Sequence, residues 1–201
     1  RGMLKAETPG PMKDSKMTPR MAETAKGLWV VYTLISVCCV LGYEWAGMTW
    51  LDAIMHMFAT MGLGGFSSHD ASFGYFNSPA IEVVSIVFML IAGCNFATHY
   101  VVLSGRSLRP YASDPEAGMF LLVTLGSVVG IAIFLDVHEV YPTFSEALRF
   151  SAFNVVSIAT TTGFANTDYA LWPFFAPLWM LFLSSFATSA GSTGGGIKMI
   201  R

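Results

Sequence analysis

Charge is what this chain has least of. Asp, Glu, Lys and Arg make up 12% of its 201 residues, about half the roughly 25% usual in soluble domains. With 54% hydrophobic residues and a mean hydropathy of +0.57, the composition is that of an all-α integral membrane protein in contact with lipid. The net charge is −2, and the basic residues form no stripe interleaved with aromatics, which excludes a nucleic-acid partner. Cysteine is scarce too. Cys38, Cys39 and Cys94 lie in apolar runs without metal-ligand spacing and read as small hydrophobes. His56, His69, His99 and His138 are scattered, so neither a metal cofactor nor a catalytic centre is expected. The polar N-terminal stretch has no apolar core, so no signal peptide is expected. Because the chain stops at Arg201 inside an apolar-to-basic stretch, it reads as part of a longer protein.

What is present is a set of apolar segments separated by glycine-rich and hydroxyl-rich loops. Residues 1–26 hold six basic residues and three prolines without apolar period, and read as a basic linker. Gly27 to Met48 is long enough, at 1.5 Å per residue, to cross a hydrocarbon core of about 30 Å. Thr49-Trp50-Leu51-Asp52 has capping-box form, with Asp shorter than the preferred Glu. The helix it starts, Ala53 to Met61, is too short to span and leads into Leu63-Gly64-Gly65-Phe66, so it reads as re-entrant. Pro79 then opens a full-length apolar segment, Ala80 to Leu103, with proline well placed in the first helical turn.

After a polar connector, 104–117, the plan repeats. Gly118 to Leu135 is a spanning candidate, and Thr143-Phe144-Ser145-Glu146 is a second capping box. A short helix from Ala147 to about Ala159 runs into Thr160-Thr161-Thr162-Gly163-Phe164, and Pro177 begins another apolar segment. At an offset of 98, Gly65, Phe66, Asp70, Phe76, Pro79, Phe88, Ala92 and Gly93 match Gly163, Phe164, Asp168, Phe174, Pro177, Phe186, Ala190 and Gly191. Eight of 29 positions agree, where composition alone gives roughly two or three. The two units are therefore 27–103 and 118–201, the second dipping helix being about one turn longer. Asp70 and Asp168 are expected to cap their own loops, and Arg149 to pair with Glu146 three residues earlier.

Ten of the eleven Lys and Arg residues fall in 1–26, in the connector, or at Lys198 and Arg201. The positive-inside rule makes those regions cytoplasmic and the protein multi-pass. The dipping helices then enter from outside, beside Glu44, Asp52, Asp70, Asp136, Glu139 and Asp168, an acidic mouth that favours cations.

Helix, dipping helix, glycine loop and helix together form the unit that carries the TVGYG loop of potassium channels, where backbone carbonyls replace the ion's water shell. Thr161, Thr162, Gly163 and Phe164 overlay that loop; Leu63, Gly64, Gly65 and Phe66 overlay it more loosely. In each copy the aromatic is expected to brace the loop against the dipping helix, whose carbonyl end points inward at the cation. The second copy also carries Gly191, Ser192, Thr193, Gly194, Gly195 and Gly196 where the first stays apolar. Irregular backbone at membrane depth is tolerated where it lines a cavity or is covered by protein, so this run is expected to form a flexible gate under the filter.

Three stretches carry a family resemblance: AETPGPMKDSKMTPRMAETAK at 6–26, LGGFSSHDASFGYFNSPAIE at 63–82, and SIATTTGFANTDYALWPFF with SAGSTGGGIKMIR between 157 and 201. The chain resembles the potassium-translocating subunits of the Trk/Ktr/HKT superfamily, of TrkH type. That resemblance implies a four-repeat pore with one filter glycine per repeat, here Gly65 and Gly163, of which this chain supplies the second and third. It also implies potassium uptake at the cytoplasmic membrane, a homodimer, and a cytosolic TrkA-like nucleotide-binding subunit.

Rival readings are weaker. In GSTGGGIK at 191–198 the lysine is displaced, no Ser or Thr follows and no strand precedes, so it is not a P-loop. Ser184 or Ser185 with His99 suggests an intramembrane protease, but without a nucleophile elbow. A non-transporting scaffold or membrane-embedded enzyme remains the alternative class.

Overall fold

The structure, a computed structural model, describes residues 21–185 and 188–197. Residues 1–20 of the basic linker, Phe186 of the repeat, Lys198 and Arg201 lie outside the described residues. The described residues form helices joined by turns, without strand. Helix α1 (Met21–Trp45) absorbs the end of the segment read as linker. Trp29, Leu34, Val37, Leu41 and Trp45 point outward from it, while Val31, Cys39 and Tyr43 are buried. The short helix α2 (Trp50–Met61) follows, started by Thr49, whose hydroxyl accepts the Asp52 N–H. After a 3-10 turn at Ser72–Tyr75 come α3 (Pro79–Gly93) and α4 (Phe96–Gly105).

These last two replace the single helix expected over Ala80 to Leu103. The chain breaks at Cys94-Asn95 and bends by 97°. Hydropathy runs unbroken through the break and conceals it; two local features produce it. A β-carbon at position 93 would stand 2.8 Å from the Phe120 ring, so glycine lets the neighbouring helix close in. One residue past Cys94, Asn95 accepts the Ala97 N–H at 2.8 Å and caps a new helix. Gly93, the last residue of α3, is the register of Gly191, whereas the corresponding helix of the second copy already ends at Ser184, the register of Ile86.

A short helix α5 (Arg109–Ala112) fills the connector, and α6 (Pro115–Val137) follows. Asp114 caps α6 by accepting the Glu116 and Ala117 N–H groups, and its other oxygen takes the Thr98 hydroxyl at 2.8 Å, tying α6 to α4. Ala25–Trp45 of α1 and Pro115–Val137 are long and apolar enough to cross a membrane, and the bent pair α3–α4 makes a third candidate. Helix α7 (Phe144–Ala159) begins three residues before the expected start, on the Thr143 cap, and α8 (Phe175–Ser184) ends the helical part. With 16 residues against 12, α7 exceeds α2 by about one turn. The C-termini of these helices, Met61 and Ala159, are in register at the offset of 98, so the extra turn lies at the N-terminal end.

The two copies meet around Phe73, which is fully buried. Its ring centroid lies 4.6 Å from Phe164, 4.9 Å from Phe153, 5.3 Å from His56 and 6.2 Å from Tyr43. Each aromatic side chain of this size contributes a large apolar burial, and this cluster joins α1, α2 and α7 behind the glycine loops.

Candidate functional site

Both glycine loops leave their helices through the same hydrogen bonds. The Leu63 N–H donates to Thr60 O (3.2 Å) and Gly64 N–H to Ala59 O (2.8 Å); at the offset of 98, Thr161 N–H donates to Ile158 O (3.0 Å) and Thr162 N–H to Ser157 O (2.8 Å). The backbone then takes positive φ at alternate residues, Leu63 (48°) and Gly65 (67°) in one loop, Thr161 (61°) and Gly163 (93°) in the other. Alternating handedness turns successive carbonyls to one side, unlike a strand, where they alternate. Glycine adopts this freely, but leucine and the β-branched threonine are strained there. The strain recurs at equivalent positions in both copies.

The loops also touch each other. A β-carbon on Gly65 would collide with the Thr162 carbonyl oxygen and stand 3.0 Å from the Gly163 carbonyl carbon. Gly163 has open space beside it, so its requirement is conformational alone. Farther along, the Ala165 N–H donates to Ser72 Oγ at 3.3 Å, joining the second loop to the first copy.

Behind the glycine loops lies a polar shell that composition and spacing did not single out. His56, fully buried, meets Asp52 O through Nδ1 (2.8 Å) and Ser67 Oγ through Nε2 (2.9 Å). At the equivalent place in the second copy, Asn154 donates to Asn166 Oδ1 at 2.6 Å. Ser157 Oγ donates to Phe164 O (2.7 Å), the Thr160 and Thr162 hydroxyls bond each other (2.7 Å), and Tyr43 ties α1 to Thr60 (2.6 Å). The offset that pairs Gly65 with Gly163 also pairs His56 with Asn154, which was the available signal. At the N-terminal end of α2, Asp52 accepts Ser68 Oγ, Thr49 Oγ1 and His69 Nε2. Burial there opposes ionisation, but the hydrogen bonds from Ser68 and Thr49 and the adjacent His69 outweigh it and hold the carboxyl below its ordinary range.

Three expectations change. Phe164 is fully buried and braces its loop, whereas Phe66 is 80% exposed and braces nothing within this chain. Arg149 pairs with Glu82 of the first copy, not with Glu146: Nε to Oε2 and Nη2 to Oε1 are both 2.8 Å, and Nη2 also reaches Asn77 Oδ1 at 3.0 Å. Glu82 is 67 positions away in sequence, so helical spacing could not reveal it. Asp168 does cap its own turn through the Ala170 N–H at 3.1 Å; among the described residues Asp70 shows no such bond.

The glycine run is non-helical where described, and it lies against both copies. Its first part is tied to the α3–α4 break: Ser189 N–H to Gly93 O (3.1 Å), Phe96 N–H to Gly191 O (3.1 Å), and Thr193 N–H and hydroxyl to Ala92 O (3.3 Å each). The Ala190 N–H donates to Glu116 Oε1 at 2.9 Å. Its last part reaches the second glycine loop, where the Gly195 N–H donates to Thr161 Oγ1 at 2.8 Å. A groove of about 490 Å³ beside it is lined by Thr161, Gly163, Tyr169, Pro177, Met180 and Ser184. No Ser–His dyad forms, because His99 uses its ring nitrogens on Tyr111 Oη and Ile91 O while Ser184 and Ser185 donate to Leu181 O.

Two helix–dipping helix–glycine loop–helix units, in register and packed face to face, define an integral membrane protein of pore-loop architecture. The chain belongs to the TrkH family of cation transport proteins, whose family model matches residues 3–201. It is 49% identical over 199 residues to the Trk system potassium uptake protein TrkH of Salmonella typhimurium, covering 99% of this chain and 41% of that protein. Against the TrkH of Vibrio parahaemolyticus it is 45% identical over 201 residues, with the same coverage. It is 38% identical to the potassium uptake protein TrkG of Escherichia coli. The crystal structure of the potassium transporter TrkH from Vibrio parahaemolyticus superposes with a TM-score of 0.87 at 44% identity, covering 92% of this chain and 40% of that one. The chain thus spans about two fifths of the length of the relatives it matches.

Proposed function

We propose that this chain forms half of a potassium-uptake pore in the cytoplasmic membrane, with residues 27–103 and 118–201 as its two pore units and 104–117 as the cytoplasmic connector. Leu63, Gly64, Gly65, Phe66, Thr161, Thr162, Gly163 and Phe164 make up its part of the selectivity filter, and potassium is the substrate. The observation that carries the reading is the paired positive φ at 63 and 65 and at 161 and 163, in loops that pack against each other. Oriented carbonyls of this kind can replace the water shell of a cation.

Rotating the second unit onto the first carries Phe164, seated on Phe73 and His56, onto Phe66. Phe66 then needs an equivalent seat on a preceding unit. This supports a ring of four units. Residues 191–196 act as the gate, supported by their irregular backbone beneath Thr161. The whole protein works as a homodimer with a cytosolic TrkA-like nucleotide-binding subunit, in keeping with relatives named as parts of a Trk system.

The test is uptake by the full-length protein in cells that lack other potassium uptake. Gly163→Ser is expected to weaken discrimination of potassium and rubidium from sodium, and alanine at Gly194 to Gly196 to alter flux. Wild-type selectivity and flux at normal expression would overturn both assignments.

A further inference from the structure

The two copies differ at two places that matter for a gate, and the fold brings those differences together. Position 63 in the first loop is leucine, and its counterpart, Thr161, carries a hydroxyl. After the break, the first copy continues as the α4 helix, and the second has the glycine run. A β-branched residue at a φ of 61° is a costly choice, so a reason for threonine here has to lie in its side chain. Thr160 and Thr162 bond each other. The Thr161 hydroxyl instead accepts the Gly195 N–H at 2.8 Å.

The glycine run has unequal attachments. At 189–193 it is stitched to Ala92, Gly93, Phe96 and Glu116 by several hydrogen bonds from three helices. At Gly195 the tie to the filter loop is the bond to Thr161, while the Gly195 carbonyl accepts Thr188 Oγ1 from the run's own start, and beyond it the Ile197 N–H donates to Ser185 O at 2.9 Å. The run is thus anchored at 189–193 and again at Ile197, and Gly195 between the anchors is the point tied to the filter loop. A β-carbon at 195 would meet only the Thr161 Oγ1, at 3.6 Å, whereas one at 194 would strike the Thr188 side chain and one at 196 would stand 3.1 Å from the Ser184 and Ser185 carbonyl oxygens, so Gly195 is the open point of the segment.

We propose that Thr161 is the latch of the gate: its hydroxyl holds the glycine run at Gly195 beneath the second filter loop, and the segment around Gly195 moves away from that loop, between its anchors at 189–193 and Ile197, when that bond breaks. This rests on the gate reading of 191–196. Thr161 thereby gains a positioning role beyond its carbonyl, and the filter loop and the gate share one residue.

The experiment measures rubidium flux, without activating nucleotide, through the full-length protein in its native assembly reconstituted into liposomes. Thr161→Val keeps the branched shape and the carbonyl but removes the acceptor. Losing one neutral hydrogen bond shifts the closed–open balance roughly two- to tenfold, so unstimulated flux should rise by that factor. Thr161→Ser, which keeps an acceptor, should restore most of the block. Gly195→Pro removes the donor from the other side and should raise flux likewise, which carries the test if the valine protein fails to assemble. A fall in flux, or a changed rubidium-to-sodium ratio without a rise, would make Thr161 a filter ligand only and overturn the latch. If alanine at Gly194 to Gly196 alters flux while neither Thr161→Val nor Gly195→Pro does, the gate stands and the latch falls. If the alanine protein also conducts like wild type, both are wrong.

Discussion

Arg149 on α7 and Glu82 in the first turn of α3 form a two-point ion pair between the pore units, with both N–O distances at 2.8 Å. Glu82 is 2% exposed. Removing one partner from a buried pair leaves an uncompensated charge and costs about 3 kcal/mol or more, whereas removing both costs far less. Arg149→Met should therefore lower the unfolding temperature of the purified protein sharply. Arg149→Met with Glu82→Met should recover most of the loss, as a thermal-melt comparison of the three proteins will read.

Gly65 and Gly163 are equivalent by register but not by surroundings. Alanine at 65 would clash with the Thr162 carbonyl oxygen in addition to its unfavourable φ of 67°, while alanine at 163 meets only the conformational strain, about 1–2 kcal/mol. Gly65→Ala is expected to abolish rubidium uptake. Gly163→Ala should keep measurable uptake with reduced selectivity over sodium. Equal loss in both proteins would contradict the contact between the loops.

Phe164 is fully buried against Phe73, and Phe66 is exposed in this chain alone. Truncating a buried phenylalanine costs about 3–5 kcal/mol. In the full-length protein Phe66→Ala should destabilise nearly as much as Phe164→Ala, since the proposed ring of units covers it. A negligible effect of Phe66→Ala on the melting temperature would argue against that ring.

The Asp52 carboxylate, despite partial burial, is held ionised by Ser68, Thr49 and His69 below its ordinary value of 3.8. Because the folded protein favours its charged form, its contribution is fully present above that value and lost as pH falls through the lower, folded one. Acid denaturation of wild type should thus steepen below about pH 4. Asp52→Asn should be less stable at neutral pH and show a shallower acid limb.

Much of the fold was legible before any coordinates. Both capping threonines, both dipping helices, the extra turn of the second and the repeat itself follow from hydroxyl–acid spacing, segment length and the recurrence of glycine, proline and phenylalanine. These are local properties, and local backbone preferences express them whatever the rest of the chain does. The bend at Cys94-Asn95 was not legible, because a lone asparagine in an apolar run signals a cap only when a neighbouring helix, through Phe120, presses on Gly93. The Glu82 partner of Arg149 was hidden for the same reason, lying on another unit.

The glycine loop at Thr160–Phe164 shows where the division falls. Composition and periodicity determined that it is a polar loop between apolar segments, ending a helix too short to cross a membrane, and that it has a twin 98 residues earlier. Only the tertiary structure decided that the twins touch through Gly65 and Thr162, that Phe164 is buried while Phe66 is bare, and that Thr161 meets Gly195. Such contacts depend on the relative placement of rigid helices, which is set by packing summed over many distant residues and leaves no periodic trace along the chain.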